Sequence, residues 1–254
     1  MLILLPPSEG KKYPDDDASV LDPGELTFPE LSPARDEVLE ALITISGSVE
    51  AQQILKVGKT VLPEVASNTG LRTAPAVPAW QVYTGVLFDS LGAASLSTAQ
   101  LQRASRGALI FSGPFGVTGF TDRIPAYRCA MDVKLPGVGN LGTYWRRQLA
   151  APLNGYVGDQ LLVDCRSGSY QRPFPGDPQR VLEVNSFTEH HGVRKVVTHF
   201  AKAARGELTG MLLRSEEWPE TVDEVAELAA DRWTVELRPA EGRKPHQLDL
   251  ISAS

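Results

Sequence analysis

The chain shows apolar runs of two kinds, and together they predict alternating strands and helices. Short continuous apolar runs are typical of buried strands, and they occupy residues 2–5, 108–111 and 161–164. Further strands are predicted at 181–187, 193–197 and 233–237, with a turn near His191 and Gly192. The polar end of the chain, 239–254, is expected to be partly frayed.

Apolar residues at helical spacing lie between these strands. Val38, Leu42 and Ile45 recur at i, i+4 and i+7 and predict a helix that begins near residue 34. Further helices are expected at 49–57, just before 92, at 98–105, at 141–149, from 200 onward and at 216–230. Because strands alternate with helices and no repeat or linker is visible, the sequence predicts one α/β domain over 1–254, with a mixed sheet and surrounding helices.

The composition of the chain limits the classes of function that are possible. The 254 residues carry a net charge of −6, so a nucleic-acid site would have to be a local basic patch on an acidic body. Cys129 and Cys165 lack a metal-binding spacing, and the four histidines are too scattered to indicate a metal site, so we expect neither a metal nor a cofactor. The apolar N-terminus stops at Pro6, too early for a signal peptide or a membrane span, and predicts a cytoplasmic protein.

The stretch from 108 to 149 combines glycines, cations and aromatic residues. Its apolar run ends in Ser112-Gly113-Pro114, where glycine lets backbone N–H groups approach a ligand. Within it, residues 135–139 read LPGVG and resemble the turn of a helix-hairpin-helix motif spanning 127–149. That turn would present N–H groups to a DNA phosphate, or it would only cap the following helix. The expected DNA-binding residues are Lys134, Gly137, Gly139, Arg146 and Arg147.

Small, hydroxyl and basic residues collect near Ser8, Ser112, Ser167 and Lys202, each after a predicted strand. Strand ends cluster in α/β folds, so we expect one shared cleft. Anion- or ligand-binding residues are expected to be Ser8, Lys11, Ser112, Gly113, Arg128, Ser167 and Arg205. Residues expected to transfer protons are Glu9, Tyr127, Tyr170 and Lys202.

Lys202 and Arg205 fall on one face of a predicted helix, near its N-terminus. Cations at that end are locally unfavourable, so either a bound anion relieves the cost or the two charges are solvated on a surface helix. Gly206 inside this helix costs about 1 kcal/mol relative to alanine, which the close approach of a ligand or another backbone would explain.

Several segments, in order along the whole chain, together resemble the YaaA family of peroxide-stress proteins: the PPSEGK corner, VYTG at 82–85, SGPFGV, PAYRCAMD, CRSGSY and FAKAARG. The resemblance implies a single α/β body of unusual topology, a role in limiting oxidative damage and free iron, and DNA binding through a basic cleft. The family pattern falls on Ser112, Gly113, Gly116, Tyr127, Arg128, Met131, Ser167, Tyr170, Lys202, Arg205 and Gly206. Many members read SPAK in the first corner, so the matching cation here is either Lys11 or Lys12.

Three functions stay open at this point. The first is a DNA-binding stress protein, whose partner is double-stranded DNA. The second is an enzyme acting on a nucleotide or another phosphorylated or anionic small molecule, although no GxSxG motif or phosphate-binding Walker loop is present. The third, an iron-binding protein, ranks last because no His, Asp or Glu spacing supports it.

Overall fold

A computed structural model describes residues 1–15, 18–190 and 193–253. The strands are β1 (Leu2–Leu5), β2 (Val77–Pro78), β3 (Ala108–Ser112), β4 (Gly116–Gly119), β5 (Arg123–Ile124), β6 (Lys134–Leu135), β7 (Gly139–Asn140), β8 (Leu162–Asp164), β9 (Val181–His190), β10 (Val193–Lys195), β11 (Thr234–Arg238) and β12 (His246–Ala253). The α-helices are α1 (Ser32–Ser46), α2 (Ala51–Ile54), α3 (Leu62–Ser67), α4 (Ala79–Val82), α5 (Val86–Leu91), α6 (Thr98–Gly107), α7 (Leu141–Val157), α8 (Thr198–Arg214) and α9 (Val222–Ala230).

The main sheet is mixed, as predicted. Its order is β11-β12-β9-β8-β1-β3-β4, and β10 pairs with the far end of β9. The five strands from β12 to β3 run parallel, while β11, β4 and β10 are antiparallel to their neighbours. The predicted α/β fold is therefore confirmed. The turn expected at His191 and Gly192 lies outside the described residues.

The strands at the centre of the sheet are covered on both faces. All four residues of β1 are at most 1% exposed, although neighbouring side chains of a strand point to opposite faces. Continuous apolar runs are typical of such doubly covered parallel strands. Because β1 pairs in parallel with both β3 and β8, the carboxyl ends of these three strands lie at one edge of the sheet.

Two helices begin just after residues whose side chains cap the helix N-terminus. Ser97 accepts a hydrogen bond from the backbone N–H of Gln100, whose side chain accepts one from the backbone of Ser97. Thr221 and Glu224 form a capping box, so the last helix begins at 222 rather than at the predicted 216. The helix expected at 49–57 is shorter than predicted, because Lys56 takes a left-handed conformation with φ of 55° and ends it.

The prediction of a frayed C-terminal tail is wrong. Residues 246–253 form β12, which lies inside the sheet between β11 and β9. Leu248 and Leu250 are fully buried. Their spacing of two residues is the period of a strand, and this signal is present in an otherwise polar segment.

The segment expected to form a helix-hairpin-helix is a β-hairpin followed by one helix. Residues 125–133, all of which the structure describes, contain no helix, and β6 pairs with β7 across the turn. Pro125 and Pro136 limit any helix between them. Gly137 and Gly139 adopt φ of 79° and 89°, which the tight turn requires. None of the helices described is long and apolar enough to cross a membrane.

Candidate functional site

A cavity of about 580 Å³ opens beyond the carboxyl ends of β1 and β8. Its walls are residues 6–11, 55–58, 84–87, 128–130, 165 and 167–170, together with two side chains of α8. Ligands of open α/β sheets bind at this edge. The position of the cavity therefore follows from the direction of the parallel strands.

Three of the four polar strand ends that were predicted to share a cleft meet in this cavity. Ser8, Ser167 and Lys202 line it, as do Glu9, Lys11, Tyr170 and Arg205. Ser112 is fully buried instead, where its Oγ accepts a hydrogen bond from the N–H of Phe115 at 3.2 Å. Because β3 turns directly into β4, this hydroxyl closes the turn and does not reach the cavity.

Gly113 lies behind the cavity wall and is not one of its lining residues. A Cβ at this position would lie 2.7 Å from the carbonyl oxygen of Cys129. Glycine therefore lets the 128–130 segment pack closely against the β3–β4 turn. The predicted ligand-binding roles of Ser112 and Gly113 are replaced by structural ones.

Positive charge dominates the cavity. Its cationic lining residues are Lys11, Lys56, Arg128, Lys202 and Arg205. Glu9 is the single carboxylate among the described lining residues. Lys56 pairs with Asp132 at 2.9 Å, and Arg128 pairs with Glu9 at 2.6 Å. Within the described chain, the basic side chains of Lys11, Lys202 and Arg205 have no ion-pair partner.

Arg128 is held by a residue that the sequence analysis did not identify. Asn68 is fully buried, and its Nδ2 donates to the carbonyl of Arg128 at 2.9 Å while its Oδ1 accepts from the Arg128 N–H at 2.8 Å. The Arg128 guanidinium also donates to the backbone oxygen of Glu9 at 2.9 Å. These hydrogen bonds, here called the clamp, hold the Arg128 backbone at one end and its guanidinium group at the other. The two partners are 60 positions apart in the sequence, and no shared motif indicates their contact.

Lys11, rather than Lys12, is the cation of the first corner. Its Nζ donates to the carbonyl of Ser8 at 2.8 Å and lies 4.2 Å from the centre of the Tyr127 ring. Lys12 is exposed and faces a different depression. Burial, and next the nearby Arg128, lower the pKa of Lys11 to about 7, which Glu9 partly offsets.

The residues predicted to transfer protons differ in whether their side chains reach the cavity. Tyr170 lines the cavity, and burial raises its pKa, so its phenol stays protonated and serves as a hydrogen-bond donor. Tyr127 is 2% exposed, and its hydroxyl lies 2.8 Å from that of Tyr83, behind Lys11. It therefore supports the lysine rather than contacting a ligand. Glu9 is largely exposed and holds Arg128, so the burial that a general base would need here is missing.

A buried ion pair shapes the wall formed by residues 165–170. Arg166 and Asp164 are at most 3% exposed, and two guanidinium nitrogens donate to the two carboxylate oxygens at 2.8 Å. Arg166 also donates to the carbonyls of Tyr170 and Phe174 and lies 4.1 Å from the Phe111 ring centre. The loop that carries Ser167 and Tyr170 is thus tied to the end of β8. The sequence offered a signal in the opposite charges of Asp164 and Arg166, two positions apart at the end of an apolar run.

Known proteins are similar to this chain over most of its length. A family model described as peroxide stress protein YaaA matches residues 1–238. The chain belongs to the YaaA family. A UPF0246 protein of Streptomyces coelicolor is 42% identical and covers 99% of this chain and 98% of its own length. A UPF0246 protein of Corynebacterium efficiens is 39% identical, covering 96% and 97%. An uncharacterized Campylobacter jejuni protein is 26% identical, covering 85% and 86%.

Two cysteine thiols lie in the cavity wall, and thiols are groups that peroxide can oxidise. Cys129 and Cys165 are at most 7% exposed, and burial raises the pKa of each to about 12. Because the thiolate is the reactive form, these thiols are in their unreactive state at neutral pH.

We expect the folded YaaA-family protein to resist iodoacetamide and dilute hydrogen peroxide at pH 7.5. Peptide mass spectrometry should find Cys129 and Cys165 unmodified, and the same treatment in urea should modify both. Rapid modification of either thiol in the folded protein would show that burial does not control their reactivity.

Proposed function

We propose that this YaaA-family protein binds a small molecule with a phosphate or carboxylate group in the cavity, as a substrate or a ligand. The observation that carries the proposal is a set of three basic side chains, Lys11, Lys202 and Arg205, without ion-pair partners among the described residues. Like charges gathered at one site repel each other, and a bound anion removes that repulsion.

The remaining surface of the cavity suits a nucleotide-sized molecule. Its volume falls in the range of roughly 300–1,000 Å³ that is typical of small-molecule sites. Ser167 and Ser169 add hydroxyl groups, and Pro7, Val57 and Leu87 add apolar wall. The two terminal nitrogens of Arg205 make no hydrogen bond with any described residue, while its Nε donates to the Val184 carbonyl at 2.9 Å. This leaves a planar fork for an anion.

The geometry supports a small anion better than duplex DNA at the 135–139 turn. Glu37, Glu40 and Glu50 line the same depression as Gly137, so carboxylates lie where a DNA phosphate would approach. Repulsion between these carboxylates and a phosphate opposes the proposed backbone contact. Lys134, Arg146 and Arg147 are exposed, and α7 provides only one of the two helices of a helix-hairpin-helix.

Calorimetric titration with inorganic pyrophosphate tests the proposal. We expect the wild-type protein to bind, and Lys202→Ala to weaken binding about ten-fold, because a charge-assisted contact contributes about 1.5–3 kcal/mol. Lys202 is exposed and without an ion pair in the described chain, so its removal should leave the melting temperature unchanged. Lys12→Ala is the matched control, since it removes an exposed lysine outside the cavity.

Two results would contradict the proposal. One is equal pyrophosphate affinity of the wild type, Lys202→Ala and Lys12→Ala. The other is a protein that takes up no pyrophosphate but binds duplex DNA, with a salt slope that loss of Arg146 and Arg147 reduces by about two units. That outcome would place the site at the 135–139 turn.

A further inference from the structure

Lys11 combines access to the cavity with an unusual charge environment. Lys11 lines the cavity, and its Nζ donates to two backbone oxygens, those of Ser8 at 2.8 Å and Glu9 at 3.4 Å. Among the described residues, no carboxylate forms an ion pair with it. A structural lysine is normally paired or fully exposed, and this one is neither.

The charged and titratable groups around Lys11 are Glu9, Glu64, Arg128 and Cys129, together with the rings of Tyr83 and Tyr127, whose centres lie 5.6 and 4.2 Å from its Nζ. Arg128 repels its ammonium form, while Glu9, Cys129 and Glu64 act in the opposite direction more weakly than burial and Arg128. Glu9 and Glu64 are committed to Arg128, at 2.6 and 3.4 Å. The result is a pKa lowered to about 7, so a far larger fraction of Lys11 than of an ordinary lysine is a neutral amine at pH 7.

A neutral lysine beside a second cation is an established arrangement for amine nucleophiles. The cations available for an anionic group, Lys202 and Arg205, line the same cavity as Lys11. We infer that Lys11 forms a Schiff base with the carbonyl group of an anionic aldehyde or ketone bound in this cavity. The inference rests on the proposed anion site and names the class of its ligand.

The chemistry requires no oxidant or reductant. The lone pair of Nζ attacks the carbonyl carbon, and the carbonyl oxygen takes up a proton to give a carbinolamine. Nitrogen loses one of its two protons to complete the neutral carbinolamine. The hydroxyl group then takes up a second proton and leaves as water, a C=N bond forms, and loss of the other nitrogen proton gives the imine. Amine and carbonyl compound thus give one imine and one water. Tyr170, held protonated by the raised pKa of its phenol, can donate a hydrogen bond to the departing oxygen.

Pyridoxal 5′-phosphate and 5′-deoxypyridoxal are matched probes, since both carry the same ring and a free aldehyde and only the first carries a phosphate. Each is incubated with the protein, and borohydride reduces any imine to a stable secondary amine for peptide mapping. At pH 7 we expect Lys11 to be labelled at least about ten-fold more than Lys12, because an ordinary lysine with a pKa near 10.4 is almost fully protonated. Labelling of Lys11 should rise with pH and reach half its maximum near pH 7.

Two variants separate reactivity from fold. Lys11→Arg keeps a cation that can donate to the Ser8 carbonyl but offers no amine nucleophile, so it should lose the label while melting like the wild type. Lys12→Met should retain the label at Lys11. Labelling spread evenly over the surface lysines, or none at Lys11, would overturn the inference.

Pyrophosphate competition distinguishes the failure of this inference from failure of the anion site. If pyrophosphate binds in the cavity but Lys11 stays unlabelled, the anion site stands and the Schiff base is rejected. If Lys11 reacts equally with both probes and pyrophosphate gives no protection, the amine is reactive but the anion site is rejected, and with it the ligand class. Protection by pyrophosphate and preference for the phosphorylated probe support both.

Discussion

Replacing Gly206 with alanine is expected to destabilise the protein by at least about 3 kcal/mol, which lowers the melting temperature by roughly 6–12 °C. Gly206 lies on α8 where it crosses α5, and an added Cβ would sit 2.0 Å from the carbonyl oxygen of Leu87. That contact is with backbone, so no side chain can move aside, and the two helices must separate. Leu87 lines the cavity, so pyrophosphate binding should weaken as well.

Gly155→Ala is the matched control. Gly155 lies inside α7, is exposed, and an added Cβ there would meet nothing within 4 Å. Alanine should therefore stabilise this helix by about 0.5–1 kcal/mol through its helix propensity. Thermal unfolding of both variants checks the comparison. A Gly206→Ala protein that melts like the wild type would show that α5 and α8 do not approach each other as described.

Asp164→Asn is the second change with a large expected effect. The substitution keeps the shape of the side chain but leaves the buried Arg166 guanidinium without its carboxylate. Breaking a buried ion pair on one side costs about 3–5 kcal/mol. Arg166 also holds the carbonyls of Tyr170 and Phe174, so the cavity wall at 167–170 should loosen together with the loss of stability.

The same substitution at an exposed ion pair provides the control. Asp159 pairs with Arg180 but is 94% exposed. Asp159→Asn should change the unfolding free energy by less than about 1 kcal/mol, as is usual for surface pairs. Urea denaturation of both variants measures the difference. Equal effects at the two positions would mean that burial of the Asp164–Arg166 pair contributes nothing.

Local patterns predicted much of the fold. The apolar runs at 2–5, 108–111 and 161–164 became β1, β3 and β8, because a doubly covered strand needs apolar residues on both faces. The close backbone approach expected at Gly206 is present, with Leu87 as the neighbour. Lys202 and Arg205 share one helical face and line one cavity, as their spacing predicted.

Local sequence patterns did not predict the contacts between distant parts of the chain. The clamp of Asn68 on Arg128 joins segments with no shared motif, and Ser112 was displaced from the cavity by the turn into β4. In the C-terminal segment, polar composition outweighed the two-residue spacing of Leu248 and Leu250, so a strand inside the sheet was taken for a frayed tail. Each of these outcomes depends on tertiary pairing, which composition does not encode.

The distinction between a cavity site and a turn site also depends on tertiary structure. Arg128 and Arg205 line the cavity, whereas Arg146 and Arg147 are exposed on α7 and are absent from its walls. The sequence places all four arginines in basic stretches. In the fold they belong to two separate surfaces, so a single probe anion can report which surface it occupies.

Two-dimensional NMR of the arginine Nε–H groups during a pyrophosphate titration makes that measurement. The anion-cavity account predicts saturable shifts of the Arg205 and Arg128 signals, with those of Arg146 and Arg147 unchanged. Assignment comes from single Arg→Lys variants. Shifts confined to Arg146 and Arg147, or no saturable shift of Arg205, would contradict the account.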